Sequence, residues 1–315
     1  MVRIGIDIGG TGIQIGAVDE TNQIIAQSSI PTRTDLPFEA QVGQMVDCIQ
    51  GLLNPDLNPS LTLDQVISIG AGVPGLATAD GMVINCTNLG WHHVPLRDAF
   101  QAKIQKPFFV DNDANVAALA ESVAGVSAGT SSSVFVTLGT GIGSGIIING
   151  KIWNGFHGIG GELGHMILKA GGEPCSCGNR GCVERYCSAT AIIRMAREQV
   201  AMHPESLILS MVQDDISKIN AKIIFDAKRA GDPVAEYVFR DYVTYLAQTL
   251  ASVTNFIDPE IIILGGGVSK AGSLLLDAVR EEFPKYVLFK ELTMPRVEIA
   301  TLSSEAGIIG AAMLS

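Results

Sequence analysis

The chain has 315 residues, 47% of them hydrophobic and 17% charged, which suits one large globular domain or two ordinary lobes and excludes a disordered chain. A net charge of −11 opposes binding to nucleic acid or anionic lipid, and no apolar run reaches the roughly 18 residues of a membrane span. The first residues run straight into a strand pattern without signal-peptide features, so the six cysteines are expected to be reduced core thiols or metal ligands of a cytoplasmic protein.

Residues 4–11 read as a strand ending in Asp7-Ile8-Gly9-Gly10-Thr11, followed by a second strand over residues 16–19. Residues 38–53 follow an amphipathic helical period, and residues 55–59 form a surface turn. A strand over residues 107–110 meets Asp111-Asn112-Asp113, and an Ala-rich helix over residues 113–124 starts there at an acidic cap. Residues 135–150 repeat the opening plan: an apolar strand, the turn Gly139-Thr140-Gly141, a second strand, and the hairpin signal Asn149-Gly150. This internal duplication predicts two related lobes.

Ser188 is placed to cap a helix through Met202, and Asp232-Pro233 to open a long one reaching Phe256. The buried strand pattern Ile261-Ile262-Ile263 runs into a third glycine turn, Gly265-Gly266-Gly267. A strand over residues 296–302 precedes a final helix, residues 305–313, expected to return to the first lobe. Strands alternating with helices predict an α/β fold. The expected lobes are residues 1–124 plus 303–315, the smaller, and residues 125–302, the larger.

A carboxylate at a strand end, two glycines and a hydroxyl form a turn whose amides can cradle phosphate while the acid holds magnesium. One such turn is more often a plain hairpin; three shift the balance toward a bound nucleotide. No Gly-Lys-Ser/Thr phosphate loop is present, and no Gly-x-Gly-x-x-Gly is followed by the helix and ribose-binding acid of a dinucleotide-binding unit. Cys175, Cys177 and Cys182 with His165 upstream supply the four ligands of a tetrahedral structural zinc site; unmetallated thiols are the alternative. Cys187 is a competing ligand that reads as a core residue, as do Cys48 and Cys86. Asp113 is placed equally well to cap a helix or to act on a ligand. Glu162 and Glu184 are either solvated charges or acceptors fixed by the cysteine loop, and Asn88 reads as a turn asparagine.

Asp7-Ile8-Gly9-Gly10-Thr11, Leu138-Gly139-Thr140-Gly141-Ile142-Gly143 and Gly265-Gly266-Gly267 together resemble the ROK kinases and repressors, within the actin and sugar-kinase superfamily. Gly12 departs from the pattern, standing where many members carry lysine. The resemblance implies a two-lobed actin-like (ribonuclease H-like) α/β fold with the active site in the interlobe cleft. It also implies ATP and Mg²⁺ at Asp7, Gly9, Gly10, Thr11, Gly139, Thr140, Gly141, Gly265, Gly266 and Gly267. Sugar contacts are implied for Asn88, Asn112, Asp113, Glu162, His165 and Glu184, with Asp113 the catalytic base and structural Zn²⁺ on His165, Cys175, Cys177 and Cys182. The implied activity is ATP-dependent phosphorylation of a hexose, foremost glucose at its 6-hydroxyl. An N-acetylmannosamine or N-acetylglucosamine kinase is the alternative, and a sugar-sensing regulator without a DNA-binding domain a remote one. The expected partners are sugar, ATP and a second copy of the chain, as a homodimer or higher homo-oligomer.

Overall fold

The computed structural model describes residues 1–59 and 61–314; Ser315, the last residue of the expected smaller lobe, lies outside the described residues. The chain forms two compact units: Met1–Ser131, Gly145–Gly161 and Thr301–Ser315 make the first, and Ser132–Ser144 with Glu162–Ala300 the second. Residues 125–131, 145–161 and 301–302, expected with the larger lobe, group with the first unit. Among the described residues, no helix is long and apolar enough to cross a membrane.

The first unit opens with β1 (Val2–Ile8), β2 (Gly12–Val18) and β3 (Ile24–Pro31), followed by helix α1 (Phe38–Leu52). Next come β4 (Val66–Val73) and a small meander of β5 (Leu76–Ala77), β6 (Val83–Cys86) and β7 (Trp91–Val94). Helix α2 (Leu96–Gln101), β8 (Phe108–Asn112) and α3 (Asp113–Ala124) complete this stretch. The five-stranded sheet has the order β3-β2-β1-β4-β8. Strands β1 and β2 pair antiparallel, whereas β1, β4 and β8 run parallel. The three-stranded meander was not anticipated, because its strands are four residues or shorter and carry no sustained alternation. Alternate side chains Ile4, Ile6 and Ile8 are buried with Val42, Met45 and Ile49 of α1, which is what an apolar stripe on each element requires.

A second sheet has the order β11-β10-β9-β12-β13, formed by β9 (Ser132–Leu138), β10 (Ile142–Ile148), β11 (Lys151–Ile152), β12 (Ile261–Gly265) and β13 (Arg296–Ile299). Strands β9, β12 and β13 are parallel, and β10 meets β11 through Asn149 and Gly150, both at positive φ as a two-residue hairpin demands. The two sheets thus share one strand order, and the duplication read in the sequence is a duplication of topology.

The second unit's helices are α4 (Glu184–Cys187), α5 (Ala189–Val200), α6 (Leu207–Met211), α7 (Ala221–Arg229), α8 (Pro233–Ile257), α9 (Gly266–Ser269) and α10 (Ser273–Glu282). Ser188 caps α5 by accepting from the Ala191 amide, and Asp232 caps α8 by accepting from Val234. The last helix, α11 (Ala306–Ala312), packs on the first sheet. Gly5 and Gly70 permit this: a Cβ at either would sit 1.9 Å from Ile308 O or 1.8 Å from Ala311 O.

Candidate functional site

In the first unit, strand register gathers the polar ends. Asp7 lies opposite Gly72, which lies opposite Asp111, so Asp7 and the Asp111–Asp113 segment share the carboxyl edge of the parallel strands β1, β4 and β8. That edge is where open α/β sheets leave room for ligands. The turn after β1 is closed by Gly9 N–H donating to Gly12 O at 3.0 Å, and Thr32 Oγ1 donates to Gly9 O at 2.6 Å. Thr11 and Gly10 are exposed, and a Cβ on Gly10 would lie 3.5 Å from Cβ of Asn88, which brings Asn88 to this turn. Burial pushes the Asp7 carboxyl above the ordinary aspartate range.

At the β8–α3 junction the capping side chain is Asn112 rather than an acid. Its Oδ1 accepts from the Ala114 amide at 2.9 Å and its Nδ2 donates to Gly75 O at 3.2 Å. Asp113 is the first helical residue, and its Oδ1 also accepts from the Ala114 amide, at 2.8 Å. The correction has a simple cause: an amide one residue earlier already has the extended backbone that a cap needs. The helix N-terminus supports a negative charge on Asp113.

The second unit assembles a parallel set. Thr137 pairs with Gly265 at the carboxyl ends of β9 and β12, and a Cβ on Gly266 would meet the Leu138 backbone at 2.7 Å, at a φ of +82°. The second and third glycine groups are therefore neighbours. Gly139 N–H donates to Gly141 O at 3.0 Å, the Ala189 amide donates to Gly139 O at 2.8 Å, and Thr190 Oγ1 donates to Thr140 O at 2.7 Å. Glu184 closes this turn: its Oε2 accepts from the Ile142 amide at 3.0 Å and would lie 2.3 Å from a Cβ on Gly141. Nothing in the sequence joins Glu184 to Ile142, which lies 42 residues away, so this contact escaped pattern reading.

Glu162 is exposed and starts the single helical turn Leu163–His165, which is set against β10 at Gly164, where a Cβ would stand 2.3 Å from Ile142 O. His165 Nδ1 lies 3.7 Å from Cys175 Sγ, and Cys177 Sγ lies 3.7 Å from Cys182 Sγ. The ligand atoms of His165, Cys175, Cys177 and Cys182 all fall within 4.8 Å of one another. A tetrahedral ion with metal–sulfur bonds of about 2.3 Å has sulfur–sulfur edges of about 3.8 Å, so the spacing and the soft donor set both fit one metal ion. The Asn179 backbone amide pulls the Cys177 thiol below its usual value, whereas desolvation, reinforced by Cys177 and Cys175, pushes Cys182 up to about 12. Cys187 stands apart. It is fully buried, burial raises its pKa to about 12, and its Sγ faces Thr249 Oγ1 at 3.6 Å.

The chain was compared with known proteins. The ROK family matches residues 3–315. The glucokinase of Halalkalibacterium halodurans is 37% identical over 313 residues, covering 99% of this chain and 94% of that protein. The glucokinase of Thermotoga maritima is 35% identical, covering 99% and 96%. The structure of a ROK family glucokinase from Streptomyces griseus in complex with glucose and AMPPNP superposes with a TM-score of 0.80 at 34% identity, covering 99% of this chain and 98% of that one. The fold is thus that of the two-lobed, actin-like ROK sugar kinases, and the chain belongs to the ROK family.

Proposed function

We propose that the chain is an ATP-dependent glucokinase, transferring the γ-phosphoryl group of ATP to the 6-hydroxyl of glucose. The observation that carries the reading is the placement of Asp113 at the β8–α3 junction, on the sheet edge that also ends in Asp7 and the first glycine turn. Similarity to glucokinases along the full chain supports glucose as the sugar.

In this reading Asp113 accepts the hydroxyl proton as the sugar oxygen bonds to the γ-phosphorus and the bond to ADP breaks. Asn88, Asn112, Glu162, His165 and Glu184 receive the sugar hydroxyls. The amides of Gly9, Gly10, Thr11, Gly139, Thr140 and Gly141 receive phosphate oxygens, and Gly265, Gly266 and Gly267 admit the nucleoside. Asp7 would hold the Mg²⁺ that accompanies ATP, an ion that would offset charge on the transferred group. His165, Cys175, Cys177 and Cys182 would hold a structural Zn²⁺ that orders this loop, while His165 also serves the sugar. The reading takes the enzyme as cytoplasmic, supported by six unpaired cysteines, and as a homodimer, which light scattering tests.

ADP release with MgATP across glucose, mannose, fructose, N-acetylglucosamine and N-acetylmannosamine tests the substrate. The highest kcat/KM is expected for glucose, and preference for an N-acetylhexosamine overturns that choice. Asp113→Asn is expected to bind glucose but lose about 10²- to 10⁴-fold in turnover. Elemental analysis is expected to find one zinc per chain, and a fully active metal-free protein would sink the zinc assignment.

A further inference from the structure

Three side chains outside the assigned sugar and phosphate contacts tie residues 153–161 to the strand end that carries Asn112 and Asp113. Asn154 Nδ2 donates to Asp111 Oδ2 at 2.8 Å. Asn115 Nδ2 donates to Asp111 Oδ1 at 2.8 Å and to Asn154 Oδ1 at 3.1 Å. Asp111 Oδ1 also accepts from the Asn112 amide at 2.7 Å. Asn115 is 3% exposed and Asp111 and Asn154 are half-buried, so breaking these bonds leaves polar groups partly shielded from water without a partner.

The loop so anchored is exposed at Gly155, Phe156, His157 and Ile159, and Trp153 N–H at its start donates to Ile146 O at 2.8 Å. Its glycines 155, 158 and 161 sit at φ of +68°, +80° and +98°, and Phe156 at its tip is 96% exposed. Gly160 N–H donates to Asn154 O at 2.8 Å, which closes the loop at its neck on the very residue whose side chain holds Asp111. A cavity of about 450 Å³, bordered by Arg97, Phe109, Asp111, Asn154 and His157, gives a loosened loop space to occupy. The chain then leads directly into Glu162 and His165.

We propose that Asn154 is a positioning residue for the kinase reaction. Its amide fixes the neck of the 153–161 loop to Asp111 and Asn115, so the segment that delivers Glu162 starts from the same strand end that orients Asp113. This rests on the glucokinase reading. The amide is suited to the task because it donates to the carboxylate and accepts from Asn115 at once; aspartate or alanine at this position loses one or both bonds.

The test is steady-state kinetics with glucose and MgATP for Asn154→Ala, Asn154→Asp, Asp111→Asn and the double variant Asp111→Asn with Asn154→Asp, alongside hydrogen exchange of residues 153–161. Asn154→Ala is expected to raise KM for glucose about tenfold, with a smaller fall in kcat and no change in KM for ATP. Asn154→Asp sets two carboxylates against each other and is expected to be worse. The double variant exchanges amide and carboxylate while allowing the same three side-chain bonds, and is expected to restore KM for glucose and exchange protection together. A lower melting temperature with unchanged KM for glucose, or a double variant no better than its worse parent, overturns the proposal. If the wild-type chain phosphorylates no hexose, the kinase reading fails first and the positioning role falls with it. Exchange protection lost in Asn154→Ala and regained in the double variant then shows only that the tie exists.

Discussion

The glycine turns after β1 and β9 come from one duplicated plan, yet they carry charge differently. In the first, the carboxylate is Asp7, part of the strand itself and pushed by burial toward its neutral form. In the second, the matching strand position is Thr137, and the carboxylate arrives from α4, where Glu184 accepts from the Ile142 amide. In the kinase reading the first turn's acid serves a cation, whereas the second's acid accepts from a backbone amide. The two sheets keep one strand order and a glycine turn after the first strand of each; they differ in which element supplies the acid.

The difference is sharpest at Asp7. Asp7→Asn is expected to lower kcat/KM for MgATP by about 10²-fold or more, since a cation partner is lost. The same change is expected to stabilise the chain without magnesium at pH 7. The native pKa is raised, so the stability from neutral Asp7 is fully present below the ordinary aspartate value near 3.9 and is lost as pH rises through the native pKa. Wild type and variant should therefore converge in melting temperature near pH 4 and separate as pH rises. A variant less stable than wild type at pH 7 would break the distinction between the turns.

Gly141→Ala strikes the second turn by displacing the Glu184 carboxylate from the Ile142 amide, and is expected to cost about 1–3 kcal/mol in denaturant unfolding. Ser188→Ala removes the cap of α5, whose first residues donate to Gly139 and Thr140, and is expected to cost about 1 kcal/mol. Glu184→Gln, whose amide oxygen can still accept from Ile142, should change stability by less than about 1 kcal/mol while weakening glucose binding through the proposed sugar contact. Unchanged glucose affinity in that variant would leave Glu184 with the loop alone.

What the sequence made legible follows from how far each signal reaches. The cysteine cluster was legible because three ligands lie within eight residues and the fourth lies ten before Cys175. Helices α1, α3, α5 and α8 were legible because capping and apolar period are local. The neighbouring of the second and third glycine groups depends on β12 pairing with β9, and the Asp111–Asn115–Asn154 network on residues about 40 positions apart. No periodicity encodes such pairings. Likewise, no sequence signal marks Glu121, yet it is fully buried and accepts from the amides of Val126, Thr301 and Leu302.

The seating of α11 against Gly5 and Gly70 has a consequence for synthesis. A ribosome releases β1 long before α11, so the first unit is complete only when residues 306–312 have emerged. Until then the sheet face at Gly5, Gly16 and Gly70 lacks its cover. A chain terminated before Ala306 would leave apolar β1 and β4 open, and should be recovered as aggregate or bound to chaperones rather than as a slightly shortened enzyme.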